Sequence, residues 1–179
     1  GRPFDLDQPG TVDRVGDEVS PYTCEPLGID YPRGDPDTLF EAARQAMPGW
    51  AAASPNARLG VCMEIVERLY ADVFLGAQAV MHTAGQGTLM SYAGSGTNAL
   101  DRGVEALAYA QAAMGDVPAE ALWERRFGAT TLRLRKRYRL VPRGVAVCFA
   151  CATFPTWNAW PAMLTTPVRA LMRVLAATT

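Results

Sequence analysis

The chain has 179 residues, 49% apolar and 20% charged, which is enough apolar material for the core of one ordinary domain. Its formal net charge of -1 offers no basic excess that would favour nucleic acid or an anionic membrane as a partner. We therefore expect a globular protein that binds neither.

Targeting signals and metal sites are not indicated either. No apolar stretch reaches the roughly 18 residues that a membrane span needs, and the first residues lack the basic-then-apolar layout of a signal peptide. Disulfides are not needed in a domain of this size, so Cys24, Cys62, Cys148 and Cys151 are expected to be reduced. With His82 as the single histidine, no zinc ligand set is present. These features predict a cytoplasmic protein without a metal site.

The chain opens on a segment with no regular period. Residues 1–35 are rich in Pro, Gly and Asp, which predicts an irregular lead-in along the surface. Asp35 followed by Pro36 is typical of an N-cap and the first helical position, and apolar residues then recur at helical spacing up to Pro48. We predict the first helix over 36–47.

Two further helices are predicted before the pattern changes. Ser54-Pro55 repeats the start signal, and an apolar stripe then predicts one long helix over 55–82, with Arg58 among the charged residues off the stripe. A third helix is predicted over 98–114, capped by Thr97 or Asn98 and ended by a glycine at 115.

Strand patterns follow. Residues 131–140 alternate apolar and basic side chains, which predicts a strand. The continuous apolar run at 144–150 predicts a strand buried on both faces of a parallel sheet. Because the chain reads as helical again after a loop at 151–155, the region 144–175 is predicted to open a βα unit.

Two short motifs carry weak chemical signals. Gly94–Ala99 matches the G-x-G-x-x-A dinucleotide fingerprint in letters, but no buried strand precedes it, which favours a glycine-loosened link between helices. Cys148 and Cys151 have the spacing of a redox pair, but Cys148 lies inside the apolar strand, which favours thiols that only pack.

Charged and titratable residues raise two more candidates. The basic residues Arg133, Arg135, Lys136, Arg137 and Arg139 could bind phosphate or nucleic acid, but no stacking aromatics are interleaved with the arginines. A solvated or subunit-facing strand that pairs with acidic neighbours is the favoured interpretation.

His82 is a possible acid or base. No Ser, Cys or carboxylate stands at a spacing typical of a triad partner. An interaction with the terminal carbonyls of its own helix is therefore expected.

The stretch "CATFPTWNAWPAM" at 151–163 is the strongest candidate site. Its position after a buried parallel strand is where open α/β sheets bind ligands. The alternative is that Phe154, Trp157 and Trp160 only pack, with Pro155 starting the helix. The residues alone leave both interpretations open.

The ungapped stretch "PRGVAVCFACATFP" at 142–155 resembles the "P-x-G-V-x-x-x-x-x-P-W-N-F-P" segment of the aldehyde dehydrogenase superfamily. The segments "PFDLDQPG", "EVSPY", "LGIDYP", "AVMHTAGQ" and "TFPTWNAWPAM" are similar to the aldehyde dehydrogenase-type proteins of bacterial phenylacetate degradation. The resemblance implies an aldehyde substrate, NAD or NADP as the cofactor, and full-length relatives that form homo-oligomers. It also implies an α/β fold of which this chain is the helix-rich N-terminal part, with a bridging or oligomerisation strand and the first βα unit of a Rossmann-like domain.

The resemblance also implies site residues. Phe149, Ala150, Cys151 and Ala152 would line the cofactor, and Thr153 occupies the position of the family's asparagine, whose amide holds the developing oxyanion. A threonine hydroxyl is shorter than an amide.

A second amide stands nearby. Asn158, a little more than one turn further along, is also a candidate.

Two hypotheses follow for the whole chain. In the first, residues 36–179 are a partial cofactor-binding domain with a divergent tail at 165–179, and the family's lysine, glutamate and nucleophilic cysteine have no counterpart. Such a chain would be inactive alone. In the second, the chain is a non-catalytic helical interaction module, in which Val168, Leu171, Met172 and Leu175 form one stripe of a closing amphipathic helix.

Overall fold

The computed structural model describes residues 2–3, 9–138, 140–141, 143–168 and 172–178. The helices are α1 (Pro36–Ala52), α2 (Pro55–Ala71), α3 (Val73–Ala84), a π-helix (Met90–Thr97), α4 (Asn98–Gly115) and α5 (Pro155–Val168). The strands are β1 (Arg2–Pro3), β2 (Thr11–Val15), β3 (Ile29–Gly34), β4 (Glu120–Phe127), β5 (Thr130–Arg137), β6 (Val145–Ala150) and β7 (Met172–Thr178).

Residues 1–35 were predicted to be irregular, and this prediction is wrong. The lead-in contains a three-stranded sheet in the order β1-β3-β2, in which β2 is antiparallel and β1 parallel to β3. The side chains of β2 are all exposed. A strand without a buried face needs no apolar alternation, so the sequence carried no signal for it. Residues 1 and 4–8 of this segment lie outside the described part.

Helix α1 starts where predicted and ends later. The Asp35 carboxylate accepts a hydrogen bond from the Thr38 N–H at 2.9 Å, which confirms the N-cap. The helix continues through Pro48 to Ala52 instead of ending at 47. A hydrogen bond to α5 stabilises its last turn: the Trp50 Nε1–H donates to the Pro167 carbonyl at the end of α5 at 3.0 Å.

The predicted helix over 55–82 is two helices. Its start is confirmed, because the Ser54 hydroxyl accepts from the Ala57 N–H at 3.1 Å. The break falls at Asp72, whose backbone leaves the helical region with φ -101° and ψ 18°. Met63, Tyr70 and Phe74 of the predicted apolar stripe are exposed.

Helix α4 matches its predicted bounds but not its predicted caps. The chain is already helical before Asn98, because the π-helix runs directly into α4, and Thr97 makes no side-chain cap. Gly115 is the last helical residue and Asp116 follows it in the right-handed region. The letters Gly94–Ala99 are therefore helical, which excludes both the dinucleotide fingerprint and a loose link.

The core lies where α4 packs along α5 and α2 packs against both. A side chain at Gly103 of α4 would place Cβ 2.7 Å from Leu164 Cδ1 of α5, so glycine permits this close approach. The buried cluster consists of Cys62, Val66, Val73, Leu100, Leu107, Ala110, Leu164 and Val168.

Strands β4 and β5 form an antiparallel hairpin whose side chains are nearly all exposed. The predicted strand at 131–140 is confirmed as β5 over 130–137, whereas β4 was not predicted. On one face Arg137 donates to Glu120 at 2.9 Å and Arg133 pairs with Glu124. The predicted pairing of these arginines with acidic neighbours is confirmed, and Arg139 lies outside the described residues.

Strand β6 pairs in parallel with β7, and α5 connects them. The prediction that β6 is buried on both faces is wrong: Cys148 and Ala150 are buried, but the Phe149 side chain is 72% exposed. The prediction of a closing helix that includes Val168 and Leu175 is also wrong, because residues 172–178 form β7. A short apolar run fits a strand as well as a helix, and β6 offers β7 a ladder of hydrogen bonds. Residues 142 and 169–171 lie outside the described part.

Arg58 was predicted on the solvent face of α2, and it is instead only 3% exposed. Its Nε–H donates to the Val168 carbonyl at the end of α5 at 3.3 Å, and Nη1 donates to the Ala53 carbonyl after α1 at 2.8 Å. Carbonyls at helix C-termini carry partial negative charge and lack partners within the helix. Arg58 therefore joins the ends of two helices.

We expect Arg58→Met to lower the free energy of unfolding by about 2–4 kcal/mol, because the buried carbonyl of Val168 and the partly buried carbonyl of Ala53 each lose a charged donor. Urea unfolding followed by circular dichroism measures this change. Arg68→Met is the matched control: Arg68 lies on the same helix, is exposed and pairs with Glu64 at 2.8 Å, so its loss should cost no more than about 0.5 kcal/mol. Equal effects of the two substitutions would contradict the capping role.

Candidate functional site

The candidate site is the loop between β6 and α5. β6 ends at Ala150 and α5 begins at Pro155, as predicted, so the loop stands at the carboxyl end of a parallel strand. Cys151, Ala152 and Thr153 are exposed on this loop, whereas the Ala150 side chain is buried.

The two predicted catalytic residues converge on one atom, the sulfur of Cys151. The Asn158 Nδ2 lies 3.0 Å from Sγ and the Thr153 hydroxyl lies 3.8 Å from it. The pKa of the Cys151 thiol is lowered, chiefly by the hydrogen bond from the Phe154 backbone N–H, then by those from the Thr153 hydroxyl and the Asn158 amide. Donors that converge in this way stabilise negative charge at the loop.

Cys148 and Cys151 do not share an environment. Cys148 is buried with Sγ 4.0 Å from the Ala159 carbonyl, whereas Cys151 is exposed. All four cysteines of the chain are free thiols. The packing role predicted for Cys148 agrees with its burial, but Cys151 does more than pack because it accepts the hydrogen bonds just described.

A network of hydrogen bonds connects the loop to the region of the π-helix. Gln86 donates to the Thr153 carbonyl and accepts from the Ser95 hydroxyl at 2.9 Å, and the Thr156 hydroxyl donates to the Ser95 carbonyl. Gln86 and Ser95 belong to the neighbourhood of the π-helix, some 60 residues before the loop. No spacing in the sequence indicates these contacts, so sequence reasoning missed both residues.

His82 has a serine partner that the sequence did not suggest. The Ser20 Oγ lies 2.7 Å from His82 Nδ1 and accepts backbone N–H groups from Tyr22 and Thr23 at 3.2 and 3.3 Å. Since both of its lone pairs are taken, the Ser20 hydroxyl hydrogen points to Nδ1. The expected bond from His82 to its helix carbonyls is thus replaced by a contact that anchors the lead-in.

The same lead-in reaches the support of the loop. The Tyr22 hydroxyl donates to the Gln86 carbonyl at 2.6 Å. The residues around Ser20 therefore help to fix the backbone of Gln86, whose side chain holds Thr153.

A cavity of about 470 Å³ adjoins the loop. A Cβ at Gly94 would lie 2.8 Å from Met90 Sδ and 3.5 Å from Phe154 Cε1, so glycine keeps this space open. The cavity is lined by Met90, Gly94, Asn98, Phe154, Trp157 and Asn158. Its walls are therefore apolar and polarisable, with two amides at the edge.

The described residues provide neither a metal-binding cluster nor a membrane-spanning helix. No group of three or more His, Cys, Asp or Glu side chains among them could hold a metal ion. Within the same ranges, no helix is long and apolar enough to cross a membrane.

No protein-family model and no curated protein matches the chain, but solved structures do. An NAD-dependent aldehyde dehydrogenase from Burkholderia multivorans is 41% identical with a TM-score of 0.91, and the match covers 100% of this chain and 32% of that one. An aldehyde dehydrogenase from Bartonella henselae is 17% identical over 97% of this chain and 34% of that one, with a TM-score of 0.65. Betaine aldehyde dehydrogenase of Staphylococcus aureus, in complex with NAD+, is 16% identical over 93% of this chain and 32% of that one, with a TM-score of 0.62.

The fold is accordingly a partial aldehyde dehydrogenase fold of mixed α/β class, as predicted. The chain spans about a third of the length of the structures that it matches.

We expect the Cys151 thiol to react with iodoacetamide at a lower pH midpoint in the folded chain than in urea, because the native hydrogen bonds favour the thiolate. Cys24→Ser removes the other exposed thiol and serves as the background. In that background Asn158→Ala should raise the midpoint, whereas Asn98→Ala, which lines the same cavity, should leave it unchanged. A midpoint equal to that of the unfolded chain would show that the donors do not act on the sulfur.

Proposed function

We propose that this chain forms part of an NAD(P)-dependent aldehyde dehydrogenase-like oxidoreductase and supplies its cofactor-facing loop. The observation that carries the proposal is the 41% identity to an NAD-dependent aldehyde dehydrogenase over the whole of this chain. The position of the loop at the carboxyl end of β6 supports it, because this edge of a parallel sheet is where dinucleotide-binding folds place their ligand.

The residues present fit a dinucleotide. Phe149 offers an exposed ring on the open face of β6, and Cys151 and Ala152 leave the start of the loop uncovered. Ala150 is buried, so it would contribute only its backbone. When bound, NAD(P)+ would accept the hydride that leaves the aldehyde carbon.

Thr153 and Asn158 are proposed to act on the oxygen of the aldehyde. Their hydroxyl and amide donors lie on the same side of the loop as the Cys151 sulfur, where they already favour negative charge. A donor aimed at a developing oxyanion contributes a factor of about 10²–10³ to the rate. Gln86 would act as a positioning residue, since it holds the Thr153 carbonyl.

The cavity beside the loop is proposed to take the body of the aldehyde. Phe154, Trp157 and Met90 offer aromatic faces and a thioether, which favour a flat aromatic group. This preference accords with a role in phenylacetate or other aromatic catabolism, to which the sequence resemblance points. The free thiols of the chain accord with a cytoplasmic location.

The reacting thiol and the glutamate are proposed to come from the part of the fold outside this chain. None of the four cysteines lies in the sequence context of the family's nucleophile. We therefore expect this chain alone to bind ligands without turning over aldehyde.

We expect the chain to bind NAD+ or NADP+ saturably but weakly, with a Kd on the order of 1 mM, because it provides only part of the site. Nuclear magnetic resonance titration measures this affinity. Phe149→Asp should weaken binding about tenfold or more, whereas Leu75→Asp, at an exposed apolar position on α3, should not. A lack of saturable binding by both dinucleotides would exclude the cofactor role of residues 149–153.

We also expect Gly94→Val to abolish saturation transfer from the chain to benzaldehyde, because the added methyl groups enter the space between Met90 and Phe154. Gly60→Val is the matched control, since a Cβ at Gly60 meets nothing within 4 Å. Unchanged saturation transfer in the Gly94→Val variant would contradict the proposal that the aldehyde binds in this cavity.

A further inference from the structure

A second cavity, of about 660 Å³, lies on another side of the molecule, between the α1–α2 junction and the base of the β4–β5 hairpin. Its volume falls within the range of small-molecule sites in proteins. The lining residues include Ala53, Arg58, Met114, Val117, Ala119 and Leu140. Arg58 is the single charged residue among the described residues of this lining.

The guanidinium of Arg58 has donors left over. Of its five N–H groups, Nε–H is used by Val168 and one on Nη1 by Ala53, while Nη2 makes no hydrogen bond to a described residue. No fully enclosed side-chain nitrogen or oxygen among the described residues lacks a partner, so Nη2 is not sealed in. Arg58 is 3% exposed and lines the cavity, which makes Nη2, the nitrogen without a described partner, the one available to a ligand there.

Within the described part of the chain, the charge of Arg58 also has no carboxylate partner. None of the ion pairs between described residues includes it, and no Asp or Glu belongs to the described lining of the cavity. The two helix C-termini offset the charge enough for the arginine to be buried in the unliganded protein. They leave the outer edge of the guanidinium available.

The rest of the lining defines the ligand. Guanidinium groups pair best with carboxylates and phosphates. The one cation of the described lining matches one negative charge, and the walls formed by Met114, Val117 and Leu140 are apolar. A carboxylate with an apolar body satisfies both features, whereas inorganic phosphate satisfies only the first.

We propose that this cavity is a binding site for a small apolar monocarboxylate, whose carboxylate pairs with Arg58 and whose body lies against Met114, Val117 and Leu140. The site is separate from the loop at 151–154, and the proposal does not depend on aldehyde oxidation.

The test is calorimetric titration of the whole chain with benzoate, using benzamide and inorganic phosphate as comparison ligands. We expect saturable benzoate binding with a Kd of about 1 mM or lower, and at least about tenfold weaker binding of benzamide and phosphate. Ala119→Trp, which places an indole in the cavity and leaves Arg58 unaltered, should abolish benzoate binding. Ala108→Trp, at an exposed position on α4 outside the cavity, is the matched control and should leave it unchanged.

Arg58→Lys adds a second readout and should weaken benzoate binding at least about tenfold, because the forked donor is lost. If this variant does not fold, the Ala119→Trp variant alone tests whether benzoate binds in this cavity. Equal binding of benzamide would overturn the role of Arg58, and equal binding of phosphate would overturn the apolar class of the ligand. Benzoate binding that survives Ala119→Trp, or no binding to the unaltered chain, would overturn the site.

Discussion

The contact of Arg58 with two helix ends determines how the rest of the molecule is assembled. It connects the segment after α1 to the last carbonyl of α5, and Trp50 connects the same two elements one residue earlier on α5. The start of α5 carries the loop of the candidate site, and its end is held by these two donors. The position of the site therefore depends on a buried cation about one helix length away, which no residue of the loop contacts.

Local sequence signals correctly predicted the elements that begin with a capping residue or a proline and the strand with alternating charge. The caps at Asp35 and Ser54 and the start of α5 at Pro155 lie where expected, since capping and proline geometry depend only on neighbouring residues. The basic strand was also predicted, together with its acidic partners, because alternating charge needs opposite charge across a ladder. The loop at 151–154 was recognised as the candidate site on its residues and their resemblance.

Contacts between distant segments could not be predicted in the same way. The bond from Gln86 to Thr153 and the pair formed by Ser20 and His82 join residues more than 60 positions apart. Strands β2 and β3 of the lead-in have no fully buried side chain, so their pairing with each other decides their conformation, and not a periodic apolar pattern. Arg58 was misplaced because a charged residue off an apolar stripe is usually solvated, and here two helix ends provide what water would otherwise supply.

Helix α5 contains Pro161 and Pro167 in its interior, and each such proline disfavours an isolated helix by about 3 kcal/mol. The prolines leave the carbonyls of Trp157 and Met163 without their helical N–H donors, and the hydroxyls of Thr165 and Thr166 donate to the carbonyls of Pro161 and Ala162 instead. The segment is thus a poor helix by itself and becomes one against the surface that α2 and α4 provide. The loop is consequently ordered only when the core is folded. Substitutions that weaken the packing of α2 and α4 against α5 should therefore disorder both α5 and the loop.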